Sequence, residues 1–268
     1  MAAQPALLQL PFELVFDWLR LLLWPLVRIS SMLMVMTTIG AATVPAPIRM
    51  GLALLFTLAA VPMLPQPPPL EMLSLTGALV TAQQVLIGTA MGFVSLLVIQ
   101  TFVLAGQIIG MQTSLGFASM VDPSNGQQVP LVGQFYLLLA TLLFFSFDGH
   151  LTMFRMIIES FHSLPIGESL LLPSLKGLSD FVGYIFASAL TLSLAAATAL
   201  LLINFAFGVM TRAAPQLNIF AIGFPITMLA GLIILWLTLD GILPHFDTVW
   251  QQGQLVMCDL LQMSCTVP

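Results

Sequence analysis

The sequence has very few charged residues. Asp, Glu, Lys and Arg together make up 6% of the 268 residues, whereas a soluble domain carries about 25%. This small number of charged groups could not cover the surface of a soluble protein of that length. Hydrophobic residues make up 59% of the chain. The composition therefore predicts an all-α integral membrane protein, with residues 1–268 forming a single domain.

Basic residues are especially scarce. Six Lys and Arg side chains stand against eleven Asp and Glu, and they are scattered singly along the chain. No basic patch exists that could neutralise phosphates, so nucleic acid is excluded as a partner. The same scarcity leaves the membrane orientation open, because the positive-inside rule needs loops that differ in their Lys and Arg content.

The residue patterns of common catalytic and metal sites are also lacking. The three histidines do not form a His-Glu-x-x-His motif, and none lies at zinc-ligand spacing from a cysteine or carboxylate. No serine occupies a Gly-x-Ser-x-Gly elbow, and no phosphate-binding loop is present. We therefore expect no enzymatic activity, no metal site and no cofactor.

The C-terminal segment, residues 244–268, contains the only two cysteines, Cys258 and Cys265. On one continuous helix they would lie about 10 Å apart along the axis. That distance is too great for a disulfide, so we expect free thiols. Apolar residues repeat at helical spacing here, which predicts an amphipathic tail on a membrane surface or against a partner. These residues are Phe246, Val249, Trp250, Gly253, Val256, Met257, Leu260 and Leu261.

The first apolar segment, Phe12 to Ile39, carries polar side chains along one side of the predicted helix. They fall within about a quarter of the circumference, and they could dock against partner subunits or line an aqueous path. For the residues from Glu13 to Arg20, local pairing of Asp17 with Arg20 near a helix end explains the pattern equally well. For Arg28 we favour a contact with protein, since charges within apolar helices rarely face lipid. The set is Glu13, Asp17, Arg20, Trp24, Arg28 and Ser31.

A charge-free stretch runs from Met72 to Val121. Gly88 and Gly92, and then Gly106 and Gly110, are small-residue pairs of the kind that allow close helix packing. A single helix from Leu70 to Leu104 would be about 52 Å long, whereas the hydrocarbon core is about 30 Å thick. One upright crossing is therefore excluded.

The segment from Gly106 to Pro130 is rich in Gly, Gln, Ser and Thr between apolar runs. It is predicted to begin as a helix, to become a loop from Gly116, and to contain a turn at Asp122 to Gly126. Irregular backbone in a membrane protein is tolerated where protein buries it or where it lines water. The segment is either a functional loop or an ordinary aqueous connection between two helices.

Two helical pairs are predicted beyond this loop. The first joins Leu131–Phe147 to Leu151–Phe161 through a structural turn at Asp148, Gly149 and His150. The second is an antiparallel hairpin within residues 181–243, whose two arms are linked around Pro215, and Pro225 is expected to kink its second arm.

Three stretches, residues 106–130, 148–167 and 212–228, together resemble the FliR family of flagellar biosynthesis proteins. They read GQIIGMQTSLGFASMVDPSNGQQVP, DGHLTMFRMIIESFHSLPIG and RAAPQLNIFAIGFPITM. The resemblance implies a non-enzymatic subunit of a protein-conducting export gate of the type III secretion apparatus, in the bacterial inner membrane and flagellar basal body. It also implies long, kinked helical hairpins packed into a multi-subunit assembly, with few simple transmembrane crossings.

The resemblance implies partners and site residues as well. The partners would be the sister proteins FliP and FliQ, the export-switch protein FlhB, unfolded export substrates in transit and membrane lipid. The predicted gate loop, with the helix end that leads into it, comprises Gly106, Gly110, Met111, Gln112, Gly116, Phe117, Ala118, Met120, Asp122 and Pro123. The predicted subunit contacts are Arg28, Gly88, Gly92, Arg212, Pro215 and Gln216.

One residue departs from the family pattern, and one alternative function remains. Asp148 stands where the family leads us to expect Asn before Gly-His, which puts a neutral hydrogen-bonding role there in doubt. The alternative is a small-molecule secondary transporter or channel with a midplane site between broken helices. It would need a buried ionisable group, and the charge-free stretch supplies none.

Overall fold

The chain folds almost entirely into helices. The computed structural model describes residues 6–68, 74–113, 115, 119–121, 128–168, 172–213, 219–263 and 265. The helices are α1 (Ala6–Val35), α2 (Ala46–Ala60), α3 (Leu75–Gln112), α4 (Leu131–Ser146), α5 (Gly149–Ser163), α6 (Leu172–Ala213), α7 (Ile219–Thr238) and α8 (Ile242–Leu260). Short 3₁₀ turns occupy Val61–Met63 and Leu239–Gly241. The predicted all-α class is confirmed.

The long helix α3 follows from the charge-free composition of its segment. Ser74 caps its start, because its Oγ accepts a hydrogen bond from the Gly77 N–H at 3.0 Å. The helix then continues through 38 residues to Gln112, which corresponds to about 57 Å. It therefore starts five residues after Leu70 and includes the helical start that was predicted for the segment from Gly106, and it is longer than the hydrocarbon core is thick.

Five helical segments in the described part of the chain are long and apolar enough to cross a membrane. The number rises to six if α4 and α5 are counted together as one span. The helix α7 continues through Pro225, and α6 begins nine residues before the predicted hairpin, at Leu172. How many of these segments cross the bilayer stays a prediction.

The chain divides into two compact units. The first contains α1, α2, α3 up to Val94, α5, the start of α6 up to Gly177 and the end of α8 from Met257. The second contains α3 from Ser95, α4, α6 from Leu178, α7 and α8 up to Val256.

The apolar face of α8 packs inside the chain. In the second unit Phe246 contacts Phe102, with ring centroids 5.5 Å apart, and Trp250 contacts Phe144 at 5.2 Å. In the first unit Met257 is fully buried, as are Leu260 and Leu261. The prediction that this face rests on a membrane surface or a partner is therefore wrong, because the chain itself supplies the apolar surface that covers it.

The prediction of free thiols is also wrong. Cys258 and Cys265 form a disulfide, with their Cα atoms 6.0 Å apart. The helix ends at Leu260 and Gln262 adopts a left-handed conformation, with φ of 55°. The Met263 N–H then donates to the Cys258 carbonyl at 2.9 Å. The chain reverses direction here, so the helical rise assumed in the sequence argument does not apply.

Candidate functional site

The end of α3 lies tightly against the start of α4 in the second unit. A Cβ atom added at Gly106 would lie 2.8 Å from the Gly133 Cα, and one added at Gly110 would lie 3.0 Å from the Pro130 Cβ. Only glycine permits so close an approach at Gly106, because the obstacle there is backbone. These two contacts hold the end of α3 from which the predicted gate loop begins.

The last residues of α3 contact both α6 and α7, the two helices of the predicted C-terminal hairpin, which is called the hairpin below. The Asn204 side chain of α6 donates from Nδ2 to the Gln112 carbonyl oxygen at 3.1 Å. Gly231 of α7 lies against the side chain of the buried Thr113, whose hydroxyl donates to the Gly110 carbonyl at 3.0 Å. Met111 has 68% of its surface exposed, so it is free to face another molecule.

An apolar cavity adjoins this point. It has a volume of about 560 Å³ and opens to the surface. Leu115, two residues beyond Thr113, forms part of its wall. The one polar side chain in the wall is Gln134, which is 5% exposed and whose Oε1 has no hydrogen-bond partner among the described residues. The remaining wall residues are Leu131, Val132, Phe135, Leu138, Leu232, Leu235, Trp236 and Leu239.

The predicted gate loop is described only in part. Ser119–Val121 and Gln128–Pro130 form a two-stranded antiparallel ladder, β1 and β2, in which Met120 pairs with Val129. The sequence had indicated irregular loop at these positions. Gly116, Phe117, Ala118, Asp122 and Pro123 lie outside the described residues.

Arg28 is enclosed in the first unit, with 0% of its surface exposed. Its Nε donates to Gln84 Oε1 at 2.6 Å. Its two terminal nitrogens donate to the Ser160 and Leu164 carbonyl oxygens, each at 3.0 Å, and its guanidinium carbon lies 4.2 Å from the centre of the Phe161 ring. These carbonyls belong to the C-terminal end of α5. The Ser160 carbonyl also accepts the Leu164 N–H at 3.0 Å, so the carbonyl for which Arg28 supplies a donor that the helix end lacks is that of Leu164.

Gly88 and Gly92 also make their contacts within the chain. A Cβ atom at Gly88 would overlap the Arg28 carbonyl oxygen and the Ser31 hydroxyl, and one at Gly92 would lie 2.6 Å from the Met32 carbonyl oxygen. The two glycines therefore bring α3 against α1. That Arg28, Gly88 and Gly92 also contact another subunit stays a prediction.

The remaining predicted positions fall at the ends of helices. Asp148, with φ of 53°, occupies the turn before Gly149, where α5 begins, and His150 follows as its second residue. Arg212 is exposed in the last turn of α6, while Pro215 and Gln216 lie outside the described part of the chain. The side chains of Glu13 and Asp17 are likewise not described, so the pairing of Asp17 with Arg20 stays a prediction.

The sequence analysis did not identify Asn204 and Gly231 as contacts of the end of α3. Only Asn204 carries a feature in the sequence that could have indicated such a role. It is the one polar side chain between Thr198 and Thr211. A part-buried amide in so apolar a helix usually has a specific partner. For Gly231 nothing local distinguishes it from other helical glycines. No group of three metal-ligating side chains occurs within the described residues.

Comparison with known proteins finds relatives over almost the whole chain. The family model of the bacterial export proteins, family 1, matches residues 19–253. The chain is 34% identical over 256 residues to the flagellar biosynthetic protein FliR of Escherichia coli (strain K12), covering 95% of this chain and 98% of that protein. It is 35% identical over 246 residues to the FliR of Pectobacterium carotovorum subsp. carotovorum, covering 91% and 94%. With the FliR of Bacillus subtilis (strain 168) it shares 28% over 216 residues, covering 78% and 82%.

Proposed function

Because this chain belongs to the bacterial export proteins, family 1, and is a membrane subunit of the flagellar export apparatus, we propose that its Gln112 to Pro123 segment closes the export pore. Unfolded substrates pass when this segment moves aside. The subunit acts by its shape and movement and performs no chemical reaction. The apparatus lies in the inner membrane, at the base of the flagellum.

One observation carries the assignment of the gate to this segment. The segment begins at the end of α3. This helix end contacts α4 and the C-terminal hairpin, and it lies beside a cavity whose wall contains no charged side chain. The residues that follow α3 in the sequence therefore start from a fixed position. Gly116 allows the backbone to move, and Met111, Phe117 and Met120 supply apolar bulk that excludes water and ions.

Helix lengths support an assembly with further membrane proteins. The helix α6 contains 42 residues and is about 63 Å long, twice the thickness of the hydrocarbon core. Exposed large apolar side chains extend from Phe186 to Met210 along it. Lipid tails cannot cover the whole of that length, so neighbouring chains must cover the rest. We propose FliP, FliQ and FlhB as those neighbours, with Arg212, Pro215 and Gln216 at the contact.

A secondary transporter is not favoured. Such a protein needs an ionisable group that the substrate or coupling ion can reach. Arg28 is charged and buried, but it is fully enclosed and bonded to Gln84, Ser160 and Leu164. Uptake of a small solute by the purified chain in liposomes would contradict the export assignment.

Deletion of Gly116 to Ala118 tests the gate. We expect the chain to assemble normally, because the contacts described for the end of α3 involve residues before Gly116 in the sequence, and the membrane to leak small ions. The measurement is membrane conductance to sodium and chloride in cells that carry the variant. The control is a deletion of the same size, Pro65 to Pro67, in the connection between α2 and α3. Unchanged conductance with normal assembly would contradict the proposal.

A further inference from the structure

We propose that Asn204 and Gly231 are positioning residues that hold the end of α3 from the C-terminal hairpin, so that the hairpin determines where the gate segment starts. This inference rests on the function proposed above. It assigns a role to two residues that belong to none of the predicted site positions. The contacts that carry it lie within the second unit.

The first contact is the amide of Asn204. The Gln112 carbonyl is among the last four of α3, which have no acceptor role inside the helix. An unpaired carbonyl costs free energy in an apolar surrounding. Asn204 supplies the missing donor at 3.1 Å from a position 92 residues away. A polar side chain in the apolar part of α6 is itself unfavourable unless it is bonded, so each group needs the other.

The second contact is that of Gly231 with the side chain of Thr113, which is possible because Gly231 has no side chain. A Cβ atom there would lie 2.6 Å from the Thr113 Cγ2 and 3.2 Å from its Cβ. Thr113 cannot easily turn away, because it is 4% exposed and its hydroxyl is bonded to the Gly110 carbonyl. A β-branched side chain also has few rotamers in a helical turn. The position of α7 therefore determines the position of Thr113.

A shared cavity lies next to these two contacts. Leu115 lies in the wall of the apolar cavity, to which α7 contributes Leu232, Leu235 and Trp236. Gln112 and Thr113 are thus in contact with the hairpin, and Leu115 faces the same cavity as α7. A shift of the hairpin would move Gln112 and Thr113 together.

The first experiment measures how firmly the helix end is held, independently of export. A Leu115→Cys probe is introduced into the full-length protein in its assembled complex, and its maleimide labelling rate is read by mass spectrometry of the peptide that contains it. We expect Asn204→Leu to raise this rate about fivefold, the factor that corresponds to one hydrogen bond of about 1 kcal/mol. The matched control is Thr198→Val, because that hydroxyl bonds only to its own helix, at the Leu194 and Ala195 carbonyls.

The second experiment uses the steric contact. Gly231→Ala should also raise the labelling rate, because the new methyl group displaces Thr113. Adding Thr113→Ser should restore the original rate, since serine keeps the hydroxyl and lacks the Cγ2 atom that the methyl group would meet. A general loss of folding would not be reversed in this way.

The outcomes separate this inference from the gate function. A raised labelling rate with ion leakage supports both. A raised rate without leakage supports the positioning role and contradicts the gate function. A rate unchanged by Asn204→Leu and by Gly231→Ala overturns the positioning role, whatever the conductance. A raised rate in Gly231→Ala that Thr113→Ser does not reverse counts against the steric contact.

Discussion

At the scale of single residues, Arg28 has the most demanding surroundings in the described part of the chain. A fully buried guanidinium is costly unless its donors are satisfied. Here the acceptors are neutral: the Gln84 side chain, the Ser160 carbonyl and hydroxyl, and the Leu164 carbonyl. The charge lies at the C-terminal end of α5, where the helix dipole favours a cation. One side chain therefore fastens α1 to α3 and α5.

Replacing Arg28 tests this account. Arg28→Met keeps most of the apolar volume but removes the donors of the buried Gln84 Oε1 and of the buried Leu164 carbonyl. Each such group costs about 1–3 kcal/mol, so we expect a clear fall in the midpoint of thermal unfolding of the purified protein. The control is Arg155→Met on α5, because Arg155 pairs with Glu159 on the surface and its side chain is 80% exposed. We expect little change of the unfolding midpoint for Arg155→Met. An equal fall for both variants would contradict the stabilising role of the Arg28 hydrogen bonds.

At the scale of secondary-structure elements, α1 and α3 pack through glycine. Gly88 lies against the backbone of α1, at the carbonyl of the same Arg28. The close packing of α1 and α3 and the hydrogen bonds of Arg28 therefore depend on each other, because the Arg28 side chain reaches Gln84 only when the two helices are this close.

Adding a methyl group should separate these helices. We expect Gly88→Ala to lower the thermal unfolding midpoint, since the obstacle is backbone and cannot turn aside. The matched control is Gly51→Ala on α2, where nothing lies within 4 Å of the added Cβ. Alanine there gains helix propensity of up to about 1 kcal/mol, so the midpoint should stay or rise. A fall of the same size in both variants would show that the contact at Gly88 is unimportant.

The end of α8 provides another test at this scale. We expect Cys258 and Cys265 to resist alkylation in denaturant until a reductant is added, because the disulfide, not burial, blocks them. The measurement is the mass of the intact chain after maleimide treatment, with and without reduction. Cys265→Ser serves as the comparison, since it should leave one reactive thiol without any reductant. Two reactive thiols in the unreduced chain would contradict the disulfide.

At the scale of the whole molecule, large apolar side chains are exposed along the long helices of the described part of the chain. They include Leu202 and Phe205 on α6 and Trp236 on α7, which are 69%, 71% and 71% exposed. A monomeric protein rarely leaves such surface uncovered. We propose that lipid covers part of it and that other chains of the export apparatus cover the remainder.

Purification of the tagged chain in mild detergent tests this arrangement. We expect other membrane proteins to co-purify in constant ratio, and the chain to aggregate when it is produced alone, because its long helices then lack their neighbours. The measurements are mass spectrometry of the purified complex and size-exclusion chromatography of the isolated chain. Untagged membranes treated in the same way are the control. A stable, monodisperse monomer without partners would contradict the assembly.

The sequence by itself determined the class of the protein and the approximate helices, and the gate role of residues 106–130 stays a prediction. Hydropathy, glycine spacing and turn residues are local signals, so they can be recognised without knowing where distant segments lie. They correctly predicted α4, the turn at Asp148 and the helices α6 and α7, whereas the antiparallel hairpin of α6 and α7 stays a prediction. They failed at the end of α8, because the disulfide depends on a reversal that periodicity does not reveal.

Only the tertiary structure decided which residues meet. Arg28 finds its acceptor in Ser160 across 132 residues, and Asn204 finds the Gln112 carbonyl across 92. Nothing near either residue in the sequence indicates its partner, since such pairs form only when packed helices bring them together. The same packing explains why residue 231 is a glycine. A side chain at that position would displace Thr113, and this neighbour is known only from the tertiary structure.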